Sequence, residues 1–234
     1  MNLILEMLHK FSRLVKVIGE ADFSILNKSK VLVLGCGGVG GYVVEALARS
    51  GIGTLVIVDF DNIDESNINR QIIALDSTVG LKKVDVLEKR IKDINRDCNV
   101  IKIDKFITVD NLDELFNCDI DFFVDACDTT SVKKEIIKKC LNKKVKFISC
   151  MGTGNKLDPS KLEIIDIRKT SNDPLARMIR KFVKDEKIND KVMVLCSSEV
   201  PVKTGDRTPG STAFVPPAAG FMIASYVVKK LLKR

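Results

Sequence analysis

The stretch VLVLGCGGVGGYVVEAL, residues 31–47, decides the fold. It begins with a continuous apolar run rich in valine, which is typical of a strand buried on both faces of a sheet. A glycine cluster follows this run, and residues 39–50 then have the apolar spacing of a helix. A strand, a glycine turn and a helix in this order predict a site for a nucleotide phosphate.

The glycines of the turn have the spacing G-x-G-x-x-G at Gly35, Gly37 and Gly40. The first allows a tight turn, the second lets the backbone approach a phosphate, and the third lets the helix pack on the strand. The additional Gly38 leaves further room for phosphates. The free N–H groups of the helix N-terminus attract an anion. Because Asp59 ends the next strand, the pattern predicts a ligand with a ribose and phosphates.

The rest of the chain alternates between strand and helix patterns. Strands are predicted at residues 30–35, 54–59, 99–104, 121–127 and 145–150. Helices are predicted at residues 3–18, 39–50, 82–96, 110–116 and near 131–142. This alternation predicts an α/β fold of the Rossmann-like kind, with a mostly parallel sheet covered by helices on both faces.

The pattern changes after Gly152, and an added C-terminal part is predicted. It consists of strands at 161–167 and 191–198, a helix at 173–187, a loop at 203–212 and a last helix at 216–232. No linker composition divides the chain, so we expect one nucleotide-binding domain over residues 1–234. It would comprise a helical N-terminal segment (1–29), a nucleotide-binding core (30–150) and a substrate-side and dimer-side extension (151–234).

Composition narrows the class of protein. The chain has 234 residues, 45% of them hydrophobic, and no apolar run long enough to span a bilayer. Its seven cysteines form no C-x-x-C pair, which argues against a disulfide framework and a paired-cysteine zinc site. The start of the chain lacks a signal-peptide pattern. We therefore expect a cytoplasmic protein without stable membrane insertion, and the net charge of +7 suits a polyanionic partner.

Charged residues after the glycine turn indicate which nucleotide is bound. Residues 58–71 contain Asp59 and Asp61, followed by Asn67, Asn69, Arg70 and Gln71, and Lys82 and Lys83 follow. The positive side chains would neutralise the charge of a triphosphate, whereas a dinucleotide requires little additional positive charge near its pyrophosphate. Asp125 and Asp128 stand at the end of a strand, where a carboxylate can bind magnesium, although either could instead cap the next helix.

Together, GCGGVG, DFDNI, SNINRQ, Lys83 and DACD resemble the ATP-dependent adenylating enzymes related to ubiquitin activation, the ThiF/MoeB/HesA superfamily. The resemblance implies ATP and Mg²⁺, with the ribose on Asp59. It implies phosphate contacts from Asn69, Arg70, Gln71 and Lys83, and magnesium on Asp128. Arg70, Lys83 and Asp128 are the residues we expect to stabilise the reacting phosphates.

The flanking segments resemble one branch of this superfamily, the tRNA threonylcarbamoyladenosine dehydratases. The matching segments are residues 11–31, 173–181, 197–202 and 210–220. Lys10 departs from the arginine that this branch favours. The resemblance implies that Arg13 reaches a nucleotide phosphate across a homodimer, and that a sulfur-relay or acceptor protein is a possible partner.

The resemblance also implies a reaction. ATP would activate the threonyl carboxylate of the modified tRNA base, and a ring would close with net loss of water. Arg177, Arg180 and Lys181 share a helix face at i, i+3 and i+4, and we expect them to bind tRNA phosphates. An enzyme that adenylates a ubiquitin-like sulfur carrier is the main alternative. A NAD-dependent dehydrogenase and a non-catalytic nucleotide sensor are weaker ones, and His9, Cys150 and Cys196 are not expected to be catalytic.

Overall fold

The protein is described by a computed structural model covering residues 9–117, 119–205 and 208–234. Its core is one seven-stranded sheet with strand order β3-β2-β1-β4-β5-β7-β6. The strands are β1 Lys30–Leu34, β2 Thr54–Val58, β3 Asn99–Ile103, β4 Phe122–Asp125, β5 Lys146–Cys150, β6 Leu162–Asp166 and β7 Met193–Ser197. Only the β6–β7 pair is antiparallel among these strands. The predicted fold class is confirmed.

The α-helices agree with the predicted pattern in the core and differ at the N-terminus. They are α1 Ser12–Ile18, α2 Glu20–Lys28, α3 Gly40–Arg49, α4 Lys83–Ile94, α5 Thr130–Asn142, α6 Pro174–Asp185 and α7 Val215–Leu231. The sequence did not indicate α2, which begins after Gly19, where φ is +86°. The predicted short helix at 110–116 is a 3₁₀ helix, Leu112–Phe116, and residues 3–8 of the first predicted helix lie outside the described residues.

Alternate residues of β1 face opposite sides of the sheet. Val31 and Val33 pack with the residues of α3, α4 and α7, whereas Leu32 and Leu34 pack with those of α5 and the Leu112–Phe116 turn. All four side chains are buried, which explains why the strand is apolar throughout rather than alternating. The helices therefore cover both faces of the sheet, as predicted.

The added C-terminal part has the predicted strands and helices, and residues 206–207 of the predicted loop lie outside the described residues. Helix α6 begins at Pro174, and the Asp173 side chain caps it by accepting a bond of 2.8 Å from Ala176 N. Helix α7 packs so closely on α3 that a Cβ on Gly220 would lie 2.6 Å from Val39 O. This close approach brings the start of α7 next to the glycine turn. No helix in the described ranges is long and apolar enough to cross a membrane.

Candidate active site

The glycine turn has the geometry that its spacing predicts. Gly35 has φ +87°, and a Cβ there would lie 2.7 Å from Ala126 O. A Cβ on Gly40 would lie 1.7 Å from Gly35 O, so the helix can only approach the strand closely without a side chain. Strand β1 lies between β2 and β4, where the chain order reverses. Ligands of open α/β sheets bind at this kind of switch point.

A cavity of about 480 Å³ opens at the carboxyl ends of β1, β2 and β4. Its volume is in the usual range for small-ligand sites. Nine residues singled out in the sequence line it: Gly35, Gly37, Asp59, Asp61, Asn67, Arg70, Gln71, Lys83 and Asp128. The fold thus brings together groups that are separated by more than ninety positions in the chain.

The remaining predicted nucleotide-binding residues lie outside the cavity lining. Gly40 packs beneath the turn, and a Cβ on Gly38 would lie 3.3 Å from Pro216 Cβ. Asn69 Nδ2 donates to Ser211 O at 3.1 Å, and Arg13 is exposed on α1. The nucleotide-binding roles of these four residues, like those of the nine lining residues, stay predictions.

Asp59 holds the glycine turn from below. Its Oδ2 accepts a bond of 2.7 Å from Cys36 N, and its Oδ1 accepts one of 2.9 Å from Asp61 N. Each carboxylate oxygen has a second lone pair, so Asp59 can also accept a bond from a ligand hydroxyl. The residue therefore shapes the loop and remains suited to contact a ribose.

Lys83 is the buried cation of the cavity. It is the first residue of α4, and its Nζ lies 2.7 Å from Asp61 Oδ2. The Lys83 side chain is 6% exposed and that of Asp61 is 46% exposed. An ammonium has three N–H donors, so this pair leaves capacity for a phosphate. The adjacent Lys82 points elsewhere and pairs with Asp104 at 3.2 Å.

The SNINRQ segment, residues 66–71, begins in a 3₁₀ turn, Glu65–Asn67, and its Asn67, Arg70 and Gln71 line the cavity. Asn67 Oδ1 accepts a bond of 3.2 Å from Asp64 N, and Arg70 Nη1 donates to Ser66 O at 2.8 Å. Gln71 Oε1 is buried and has no hydrogen-bond partner in the described part of the chain. A buried unpaired amide oxygen is costly, so Gln71 Oε1 is suited to accept a hydrogen bond from a ligand, whereas Nε2 is the group that can donate to a phosphate.

The two acids after β4 have different environments. Asp128 is exposed and lines the cavity, so its carboxylate is available to a cation. Asp125 is fully buried, and its Oδ2 accepts bonds from Lys133 Nζ at 3.0 Å and from Ser149 Oγ at 2.5 Å. The Asp125 carboxylate therefore bonds to Lys133 of α5 and Ser149 of β5. It does not cap α5 with these bonds, and it is not exposed to a metal ion. Burial alone would lower the pKa of Lys133, but attraction to Asp125, together with smaller contributions from Cys127 and Cys150, outweighs burial and the pKa is raised.

The cysteines near the site are not activated thiols. Cys127 lines the cavity, but its pKa is raised, chiefly by burial and then by the Asp125 charge. Burial also raises the pKa of Cys150 to about 12 and that of Cys196 to about 11. A thiol must ionise to be a good nucleophile, so none of these three is arranged for nucleophilic catalysis.

Phe60, Phe106 and Lys105 are among the cavity residues that the sequence did not indicate. Phe60 and Phe106 pack edge to face with ring centroids 4.6 Å apart, and Lys105 beside them pairs with Glu114 at 2.7 Å. Phe60 directly follows Asp59, and Phe106 follows the end of β3 closely. Position just after a parallel strand was the available signal, because such residues lie on the ligand side of the sheet.

The predicted tRNA-binding residues lie on α6, away from this cavity. Arg177, Arg180 and Lys181 line a groove of about 650 Å³, together with Arg168, Lys184 and Lys187. Arg180 Nη1 donates to Thr170 O at 2.7 Å, and Lys181 pairs with Asp185 at 2.6 Å. The three residues share one surface, as their spacing predicts, and their role stays a prediction.

An open, mostly parallel sheet with a glycine turn and a charged cavity at its switch point defines a nucleotide-binding α/β protein. The chain belongs to the ThiF family, whose model matches residues 11–234. It is 41% identical to the tRNA threonylcarbamoyladenosine dehydratase of Bacillus subtilis, covering 97% of this chain and 96% of the relative. It is 34% identical to the dehydratase of the same name from Haemophilus influenzae, covering 96% and 94%.

Solved structures agree with these sequence relatives. The Escherichia coli tRNA N6-threonylcarbamoyladenosine dehydratase, TcdA, in complex with ATP has a TM-score of 0.91 and 32% identity to this chain. The match covers 97% of this chain and 95% of that one. The same Escherichia coli protein in complex with AMP also has a TM-score of 0.91. The similarity therefore includes the C-terminal part as well as the nucleotide-binding core.

Proposed function

We propose that this protein is an ATP-dependent dehydratase that closes a ring on threonylcarbamoyladenosine in tRNA. The observation that carries the proposal is the match with dehydratases of this name along nearly the whole chain. This match includes the C-terminal half, where sulfur-carrier adenylating enzymes typically hold zinc in two C-x-x-C pairs. The sequence has no such pair, which further favours the dehydratase over the sulfur-carrier alternative.

We expect ATP to occupy the cavity in one orientation. Asp59 would accept a ribose hydroxyl, and the phosphates would follow the glycine turn to the N-terminus of α3. Arg70, Gln71 and Lys83 would bind the phosphates from the opposite side, while the apolar faces of Phe60 and Phe106 suit the base. In this orientation the cavity cations Arg70 and Lys83 would lie along the triphosphate, and Lys105 would be the lining cation beside the base.

The residues present also fit a magnesium ion that arrives with ATP. No group of three or more His, Cys, Asp or Glu within the described ranges could hold a metal alone. Mg²⁺ commonly uses one or two carboxylates together with phosphates, and Asp128 is the cavity carboxylate that would share the ion with the phosphates. When bound, the ion would neutralise charge on the phosphates.

The reaction has two steps. An oxygen of the threonyl carboxylate attacks the α-phosphorus of ATP, the bond to the bridging oxygen breaks, and pyrophosphate leaves. A nucleophile of the same modified base then attacks the acyl carbon and gives up its proton to solvent, and AMP leaves with the carboxylate oxygen that is removed. Arg70 and Lys83 stabilise the phosphate charge in the first step, and proximity supplies much of the rate in the second.

The basic groove on α6 is suited to hold the tRNA. Arg177, Arg180 and Lys181 present guanidinium and ammonium groups on one surface, and Arg168, Lys184 and Lys187 extend it. Such a patch binds phosphates without reading the base sequence, and its affinity falls as salt rises. Selectivity would then come from the modified base near the ATP cavity.

The assembly is part of the same proposal. We propose a cytoplasmic homodimer in which the exposed Arg13 of one subunit reaches the phosphates bound by the other. A sulfur-relay or acceptor protein is a further partner that the family resemblance suggests. Sedimentation of the protein with and without ATP would test the dimer.

Release of AMP is the test of the adenylating step. The protein should release AMP from ATP only when tRNA carrying threonylcarbamoyladenosine is present, in proportion to the base converted. Unmodified tRNA and a ubiquitin-like sulfur carrier serve as controls. Release of ADP, or stimulation by the carrier and not by the modified tRNA, would overturn the proposal.

A further inference from the structure

Phe214 is an exposed aromatic residue in a segment that contacts Gly38 of the glycine turn and Asn69. Its side chain is 58% exposed, and it is the residue that precedes helix α7. Two residues later, Pro216 Cβ lies 3.3 Å from the Cβ position on Gly38. Three residues earlier, Ser211 O accepts the bond from Asn69. Phe214 therefore stands between two contacts with the phosphate-binding segments.

The chain around Phe214 is held by a network of hydrogen bonds. Gly210 N donates to Asn155 Oδ1 at 2.5 Å, and Asn155 N donates to Gly210 O at 2.8 Å. Thr212 Oγ1 donates to Lys156 O at 3.4 Å. Lys156 is itself buried and pairs with Asp173 at 3.1 Å. The segment that bears the exposed Phe214 ring is thus held in place by these hydrogen bonds.

The same hydrogen-bond network connects the segment that bears Phe214 with the helix of the basic groove. Asp173, the partner of Lys156, caps helix α6, which bears Arg177 and Lys181. Nearby, Asn172 Nδ2 donates to Ser198 O at 2.8 Å. The segment that bears Phe214 is therefore joined through Lys156 and Asp173 to the start of the helix that would hold the tRNA.

We propose that Phe214 stacks on an unpaired nucleobase of the tRNA substrate beside the ATP cavity. This inference rests on the proposed function. The threonyl carboxylate is attached to a base, so that base must leave the stack for the carboxylate to reach the α-phosphorus. Unstacked RNA bases are commonly held on aromatic side chains, and an exposed ring on a rigid loop offers such a face.

Substitution of Phe214 tests the proposal. Phe214→Ala should raise the KM for modified tRNA on the order of 10-fold, as expected for the loss of one stacked base. The KM for ATP should stay unchanged, and Phe214→Trp should restore tRNA binding. The matched control is Phe221→Ala, which removes a 50% exposed ring from α7 where it packs against Tyr42 instead.

The outcomes separate this inference from the proposed function. If the wild-type protein does not dehydrate modified tRNA, the proposed function fails. If the wild type is active and Phe214→Ala has the same KM for tRNA, the stacking role is wrong. A rise in the KM for ATP, or an equal effect of Phe221→Ala, would also overturn it. Thermal unfolding of each variant identifies any loss that comes from misfolding.

Discussion

Lys133 Nζ lies 3.0 Å from Asp125 Oδ2, and both side chains are fully buried. The ammonium also donates to Ser149 Oγ at 3.3 Å and to Cys150 O at 2.8 Å. These bonds join helix α5 to the ends of β4 and β5. The loop that bears Asp128 starts directly after Asp125, so this buried pair supports one wall of the cavity.

Replacing Lys133 should therefore destabilise the fold. Lys133→Met leaves the Asp125 charge buried without its partner, and we expect a loss of about 3–5 kcal/mol in the free energy of unfolding. Urea denaturation measures the effect. Lys134→Met is the matched control, because Lys134 is partly exposed and lies 5.7 Å from the Phe182 ring centroid. Equal losses in the two variants would contradict a special role for the buried pair.

The acid dependence of stability should report on Glu45. This residue is buried on α3, and Arg90 Nε of α4 lies 2.6 Å from its Oε2. Burial raises the pKa of Glu45, but the bonds from Arg90 and Arg49 outweigh it and the pKa is lowered. A lowered pKa stabilises the fold above the carboxyl's unfolded pKa of about 4.3, and this stabilisation is lost as the pH falls through the folded value.

Glu45→Gln tests this link between α3 and α4. At pH 7 the variant should lose about 2 kcal/mol of unfolding free energy, because two charge-assisted hydrogen bonds become weaker. The difference from the wild type should shrink as the pH falls below about 4. Unfolding experiments at several pH values measure both. A difference that stays constant with pH would show that ionisation of Glu45 is not the cause.

The two adjacent lysines at the start of α4 should differ in catalysis. Lys83→Met removes the buried cation of the cavity, and we expect kcat/KM to fall about 100- to 1,000-fold, as for loss of a preorganised donor in an active site. Lys82→Met is the control, because Lys82 pairs with Asp104 outside the cavity lining. Steady-state kinetics with varied ATP measures the difference. Similar losses for both lysines would argue against the phosphate role of Lys83.

The basic groove on α6 should control tRNA affinity and its response to salt. Arg177→Ala with Lys181→Ala should weaken tRNA binding and reduce the slope of log affinity against log salt by about 2, because two cations no longer neutralise tRNA phosphates. The KM for ATP should not change. Lys28→Ala with Lys143→Ala removes two exposed lysines elsewhere and serves as the control. An unchanged salt slope in the Arg177 and Lys181 variant would remove α6 from the tRNA interface.

The central part of the fold could be predicted because its strand and glycine-turn patterns each lie within a short stretch of sequence. The run from Val31 to Leu34 is apolar on both faces, and the Gly35 turn tolerates no side chain, so both features are visible in the sequence. The helix of residues 20–28 was missed because its apolar pattern is weak and Gly19 separates it from α1.

Burial of charge was the main feature that the sequence could not reveal. Lys133 lies among several lysines whose spacing is typical of a solvated helix face, and only the approach of Asp125 from β4 allows it to be buried. Phe60 and Phe106 follow two different strands, so the contact between their rings depends on the order of strands in the sheet. Long-range partners of this kind are not encoded in the spacing of residues along the chain.

The most direct test of the proposed dehydration is nucleoside mass spectrometry. The protein is incubated with ATP, Mg²⁺ and tRNA bearing threonylcarbamoyladenosine, and the digested nucleosides are compared with a reaction lacking ATP. The proposal predicts that the modified nucleoside loses the mass of one water only when ATP is present. A nucleoside of unchanged mass in the complete reaction would contradict it.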